Sequence, residues 1–102
     1  MAMLHTVNKS PYERNTLSTA LGYVSSGDSV LLIEDGVYAA MASGSAAASV
    51  KEAMASCQVY ALREDLAARG VSEDKVLDGV KLVDYSGFVE LAVSNDKVQS
   101  WL

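Results

Sequence analysis

The chain has 102 residues, half of them hydrophobic, with one proline, one cysteine and one histidine. Thirteen acidic against eight basic side chains leave a net charge of −5 at pH 7, and the pI is near 4.6. These figures exclude a disordered chain, a disulfide framework and a basic surface able to bind nucleic acid by itself. Lys51, Arg63, Arg69, Lys75, Lys81 and Lys97 are scattered among acids and form no stripe. One domain over residues 1–102 is expected, since the length leaves no room for a second core. Met1 to Thr6 lacks the positive segment and apolar run of an export signal, and no stretch reaches the roughly 18 apolar residues of a membrane span. A lone cysteine suits a reducing compartment, so the expectation is a cytoplasmic protein that contacts neither membrane nor, directly, nucleic acid.

Met3 to Val7 reads as a short extended run ending at Asn8-Lys9-Ser10-Pro11, where proline disfavours helix before it and suits a helix start beyond it. From Glu13 onward Leu17, Ala20, Leu21 and Val24 recur at helical spacing until Ser25-Ser26-Gly27-Asp28. Val30 to Ile33 is a continuous apolar run, as in a strand buried on both faces, and Glu34-Asp35-Gly36 breaks it. Val37 to Ser56, rich in alanine and serine, reads as helix interrupted at Ser43-Gly44-Ser45. Cys57 to Leu62 is a third strand, and Asp65 to Arg69 a short helix closed by Gly70. Ser72 to Lys75 begins another turn, and Val80 to Val83 is a fourth strand. Asp84 then caps a helix with Tyr85, Phe88, Val89 and Ala92 on one face, and Lys97 to Leu102 is a tail ending in Trp101-Leu102. Strands alternating with helices predict a three-layer α/β/α domain around a mainly parallel sheet of about four strands.

In such sheets ligands sit beyond the carboxyl ends of the strands. Those positions are Asn8-Lys9-Ser10, Glu34-Asp35-Gly36, Arg63-Glu64-Asp65 and Asp84-Tyr85, which are polar and acidic but match no catalytic, phosphate-binding or dinucleotide motif. With His5 and Cys57 each isolated, no metal site and no cofactor are expected. His5 could act as an acid or base, but inside a buried strand a hydrogen-bonded structural role is the stronger reading. Glu34 and Asp35 read first as a strand-end turn and second as a cation or phosphoryl site, with Asp84 a further phosphoacceptor candidate. Cys57 is the sole thiol that could accept a persulfide, yet it starts a strand at the end opposite the ligand side, with nothing to stabilise a thiolate. No catalytic residue is therefore assigned. Trp101, with Leu102 and Tyr38, is the candidate for a subunit interface, where large aromatics concentrate.

Four segments together resemble the TusB/DsrH family: Leu4 to Pro11, Leu31 to Ala40, Val59 to Gly70 and Val83 to Val89, with the terminal Trp101. They occur in order over nearly the whole chain. The resemblance implies a DsrE-like α/β/α fold and a place in a heterohexamer with TusC/DsrF-like and TusD/DsrE-like subunits. That complex relays persulfide sulfur, either toward 2-thiolation of the tRNA wobble uridine (TusBCD) or in sulfur oxidation (DsrEFH). It also implies that the sulfur-carrying cysteine belongs chiefly to the TusD/DsrE-like partner. Some DsrH members carry a cysteine in the helix after the first strand, where this chain has Ala20. The expected function is thus a subunit that is not an enzyme by itself. The alternatives are a sulfurtransferase using Cys57, or a homo-oligomeric binding module.

Overall fold

The computed structural model describes residues 2–101. Five strands form one parallel sheet in the order β4-β3-β2-β1-β5: β1 Met3–Val7, β2 Ser29–Leu32, β3 Gln58–Leu62, β4 Lys81–Val83 and β5 Lys97–Trp101. The helices are α1 Thr16–Leu21, α2 Ala47–Ala53, α3 Arg63–Ala68 and α4 Tyr85–Ser94. From β1 to β4 the chain steps in one direction, so right-handed crossovers place α1, α2 and α3 on one face. The return from β4 to β5 runs back across the sheet, which places α4 on the other. The three-layer parallel α/β/α fold is as expected, with one strand more than expected.

That extra strand is the segment read as a tail. Lys97 to Trp101 pairs in register with Met3 to Val7, so the end of the chain completes the sheet beside its beginning. Val98 and Ser100 take one face and Gln99 and Trp101 the other, so both faces mix apolar and polar residues and no alternating pattern marks this short edge strand.

Side-chain alternation divides the sheet into two surfaces. Val7, Val30, Leu32, Val59 and Ala61 face α1 to α3 and join Leu17, Ala20, Val37, Val50 and Leu66 in the main core. Leu4, Leu31 and Leu62 point the other way, toward the α4 side, and are also buried. α2 begins at Ala47, and the residues before the interruption form a 3-10 helix, Glu34–Ala40, in place of the expected α-helix. Gly36 lies so near β1 that a Cβ there would sit 2.1 Å from the Val7 carbonyl oxygen. α1 starts at Thr16, later than expected, because Pro11 to Glu13 form a turn. Gly70, at φ +69°, ends α3 as expected. Asp84 Oδ1 accepts a 2.8 Å hydrogen bond from the Gly87 amide, so α4 also begins at the expected cap.

The face assigned to α4 needs correction. Phe88, Leu91 and Ala92 are half-buried, whereas Tyr85 and Val89 are exposed together with Val93. The inner stripe is therefore turned by about one position from the expected one, and α4 has no fully buried residue.

Candidate functional site

The four polar strand ends do converge at one edge of the sheet. Asn8 donates through Nδ2 to Glu34 Oε2 at 3.2 Å, and Asp65 Oδ2 accepts from the Glu34 amide at 2.7 Å. That last contact holds Glu34 at φ +49°, a left-handed conformation unusual for a side chain with a Cβ. Arg69 donates to Asp35 at 2.8 Å, and Glu64 Oε2 accepts from the Tyr85 amide at 3.3 Å. The hydrogen bond to Asp35 raises the Arg69 guanidinium above its usual range against the opposing effect of burial, helped by the charges of Asp35 and Asp65. The acids that looked available in sequence are therefore engaged: Asp35 in an ion pair, Asp65 in holding a turn, Asp84 in capping α4. Two acceptors in this region, Asn8 Oδ1 and Glu64 Oε1, are buried without a hydrogen-bond partner. Among the described residues, no three His, Cys, Asp or Glu side chains are grouped to hold a metal ion.

His5 is placed where its chemistry is fully occupied. It is 2% exposed in the interior strand β1, with Nε2 2.9 Å from Asp28 Oδ2. The Trp101 indole donates to His5 Nδ1 at 3.0 Å. An indole N–H can only donate, so Nδ1 carries the lone pair and Nε2–H donates to Asp28. Asp28, itself 3% exposed, also accepts from the Met3 and Ser25 amides, each at 3.0 Å. Burial by itself would raise the Asp28 carboxyl, but the hydrogen bonds from Ser25, His5 and Met3 outweigh it and hold the group below its ordinary 3.8. The sequence reading found the histidine but neither partner. Both bonds depend on β5, or on the loop before β2, coming to rest beside β1.

Cys57 precedes β3 at the amino end of the sheet, away from the polar strand ends. It is 5% exposed, and its thiol lies 3.4 Å from the Ser25 carbonyl and 3.8 Å from Ser56 Oγ. No cation stands among these neighbours to favour a thiolate. Ala20 has no exposed surface and sits on the buried side of α1, in the main core. A longer side chain at this position would meet packed neighbours before solvent.

Trp101 packs back onto its own domain, between His5 and Tyr23, with ring centroids 6.2 and 5.5 Å away. Tyr38 is half-buried in the 3-10 helix, and Leu102 lies outside the described residues. A groove of about 630 Å³ runs between α1 and α2, lined by Ser18, Ser45, Ser49 and Ser56 with Arg14 and Glu52. A serine nucleophile needs an adjacent base, and the histidine is elsewhere, bonded on both nitrogens.

Fold and site together define a small parallel α/β domain in which His5, Asp28, Asp35, Asp65, Asp84 and Arg69 bond other parts of the same chain. The DsrH-like protein family model matches residues 9–98, and the chain belongs to that family. Proteins named TusB are similar throughout: 40% identical in Pectobacterium parmentieri, over 97% of this chain and 100% of that protein. Those of Escherichia coli K12 and Photorhabdus laumondii are 37% and 41% identical with the same coverage. Among solved structures, the YchN protein of Escherichia coli superposes with a TM-score of 0.82 at 19% identity, covering 99% of both chains. MTH1491 of Methanobacterium thermoautotrophicum gives 0.73 at 17% identity, covering 96% of this chain and 97% of its own. At such identities these two likenesses speak for the fold.

Proposed function

We propose that the chain is a non-catalytic subunit of a cytoplasmic sulfur-relay complex. Its whole length, 1–102, then acts as one TusB/DsrH-like domain beside TusC/DsrF-like and TusD/DsrE-like subunits. The observation that carries this reading is end-to-end similarity to proteins named TusB, with identities of 36 to 41% and complete coverage of those relatives. That shared name favours transfer toward tRNA wobble-uridine 2-thiolation over the sulfur-oxidation branch.

The geometry supports a structural part in the relay. A sulfur carrier needs a thiolate that a donor can reach. Cys57 is closed off between Ser25 and Ser56, and Ala20 offers no thiol in a position without solvent access. The partner subunit therefore supplies the cysteine, and this chain supplies surface. Tyr85, Val89 and Val93 form an exposed apolar stripe at i, i+4 and i+8 of α4, and Val98 of β5 adds to the exposed apolar surface. This stripe is the proposed contact region on the α4 face, and Tyr38 with the exposed parts of Trp101 is a second one on the opposite face.

Co-expression with TusC/DsrF-like and TusD/DsrE-like chains, followed by sizing, tests the reading. A stable complex containing all three chains is expected. Failure to co-purify with either would remove it. For the alternative sulfurtransferase role, mass spectrometry after exposure to a persulfide donor should find no added sulfur on Cys57, and Cys57→Ala should keep full relay activity.

A further inference from the structure

The last strand of the sheet is fastened by a contact that depends on the protonation state of one side chain. Asp28, His5 and Trp101 form a line of hydrogen bonds from the loop before β2, through β1, to the end of the edge strand β5. Trp101 Nε1–H occupies the Nδ1 lone pair, so the bond exists only while His5 is neutral and carries its proton on Nε2. A second proton on the ring must go to Nδ1. Two N–H donors would then face each other across 3.0 Å.

We propose that the Asp28–His5–Trp101 line is a proton-released clasp, in which protonation of His5 strengthens its pairing with Asp28 and frees the Trp101 indole from the end of β5. Two structural asymmetries decide which bond yields. Asp28 is held by two backbone amides and lies 3% exposed, so it stays beside Nε2. Trp101 is half-buried at the margin of the main core, on an edge strand whose other residues are all exposed, so its ring has solvent on one side into which it can turn. An imidazolium–carboxylate pair in a buried setting is also favoured over a bond between neutral groups.

The other titratable groups facing this line from the packed elements are few. Tyr23, after α1, stacks on Trp101 at 5.5 Å. Cys57, before β3, reaches the Ser25 carbonyl, whose residue's amide bonds Asp28. Lys97 starts β5 opposite Met3 and is exposed. Histidine is the side chain whose ordinary charge change falls between about pH 5 and 8. The consequence is a sheet edge whose last residue is docked while His5 is neutral and released when its ring takes a second proton.

Trp101 is the sole tryptophan, so its fluorescence reports the clasp without labelling. In the full-length chain, an acid titration of that fluorescence should follow a one-proton curve coincident with the His5 imidazole resonances by NMR. The indole N–H should lose exchange protection over the same range while amides of β2 and β3 keep theirs. At neutral pH the imidazole nitrogens should show the Nε2–H tautomer. His5→Gln, whose amide can donate to Asp28 and accept from Trp101 without titrating, should give a flat profile. If that variant does not fold, Trp101→Phe serves instead: with no indole bond to lose, His5 should titrate at higher pH than in the unaltered chain. The Nδ1–H tautomer, an indole signal that does not move with His5, or an unshifted His5 titration in Trp101→Phe would each overturn the proposal.

Discussion

The two faces of the sheet are built from the same strands and have opposite characters. On one, α1 to α3 and the 3-10 helix close over Val7, Val30, Leu32, Val59 and Ala61, all at most 2% exposed. On the other, α4 covers Leu4, Leu31 and Leu62 while contributing no fully buried residue itself, and Tyr85, Val89 and Val93 remain 56, 61 and 81% exposed. The first face is a finished core. The second is a core with one thin wall, as expected of a chain whose stability is completed by association. The difference fits the proposal that this chain acts through the surface it leaves uncovered.

The largest effect should come from the finished face. Leu32→Ala is expected to cost about 3 kcal/mol in chemical denaturation, while Val89→Ala should stay within about 0.5 kcal/mol in the isolated chain. Comparable losses at the two sites would erase the contrast. Asp28→Ala should cost about 2 to 3 kcal/mol, because the Met3 and Ser25 amides and His5 lose their acceptor together. A pH series sharpens this. Since folding lowers the Asp28 carboxyl, its contribution is fully present above its ordinary 3.8 and disappears as pH falls through the lower folded value. Asp28→Asn should therefore show a shallower loss of stability on the acid side than the unaltered chain.

Smaller effects are expected at α4. A Cβ on Gly87 would meet the Val83 Cβ at 2.8 Å, so Gly87→Ala should lift the helix from β4 at a cost of about 1 to 2 kcal/mol. Hydrogen exchange should then rise in α4 and leave β2 unchanged. Smallest of all for the isolated chain is Val93→Glu, within about 0.5 kcal/mol by thermal melting. The same change should nonetheless weaken co-purification with the partner subunits. An undiminished complex would place the contact elsewhere.

Much of the architecture was legible because it rests on local signals. Val30 to Ile33 could be read as buried strand from its unbroken apolar run, and Asp84 and Gly70 marked the ends of helices through their particular backbone chemistry. What escaped was long-range. Nothing near Lys97 announces a strand, because its partner is Met3 to Val7 at the far end of the chain. The close approach of Gly36, in the 3-10 helix Glu34–Ala40, to the Val7 carbonyl is likewise a contact that alanine-rich composition cannot reveal. On α4, helical period located an amphipathic element, but a helix with apolar residues on both sides does not declare which stripe faces inward. At the candidate site, the strand-end acids were placed correctly while their mutual engagement was invisible. Asp35 looked free until Arg69 was brought beside it.

The sheet order also sets a schedule for folding. β1 lies between β2, which follows within a few tens of residues, and β5, whose Trp101 bonds His5 across 96 positions of sequence. As the chain emerges during synthesis, β1, β2 and β3 can pair early, but one edge of β1 stays open until residue 101 has been made. Pairings of such separation are slow to form, and an unpaired strand edge invites association with other chains. Of these five strands the earliest in the chain, β1, is therefore the last to gain both neighbours, and until β5 docks its open edge can pair with another chain.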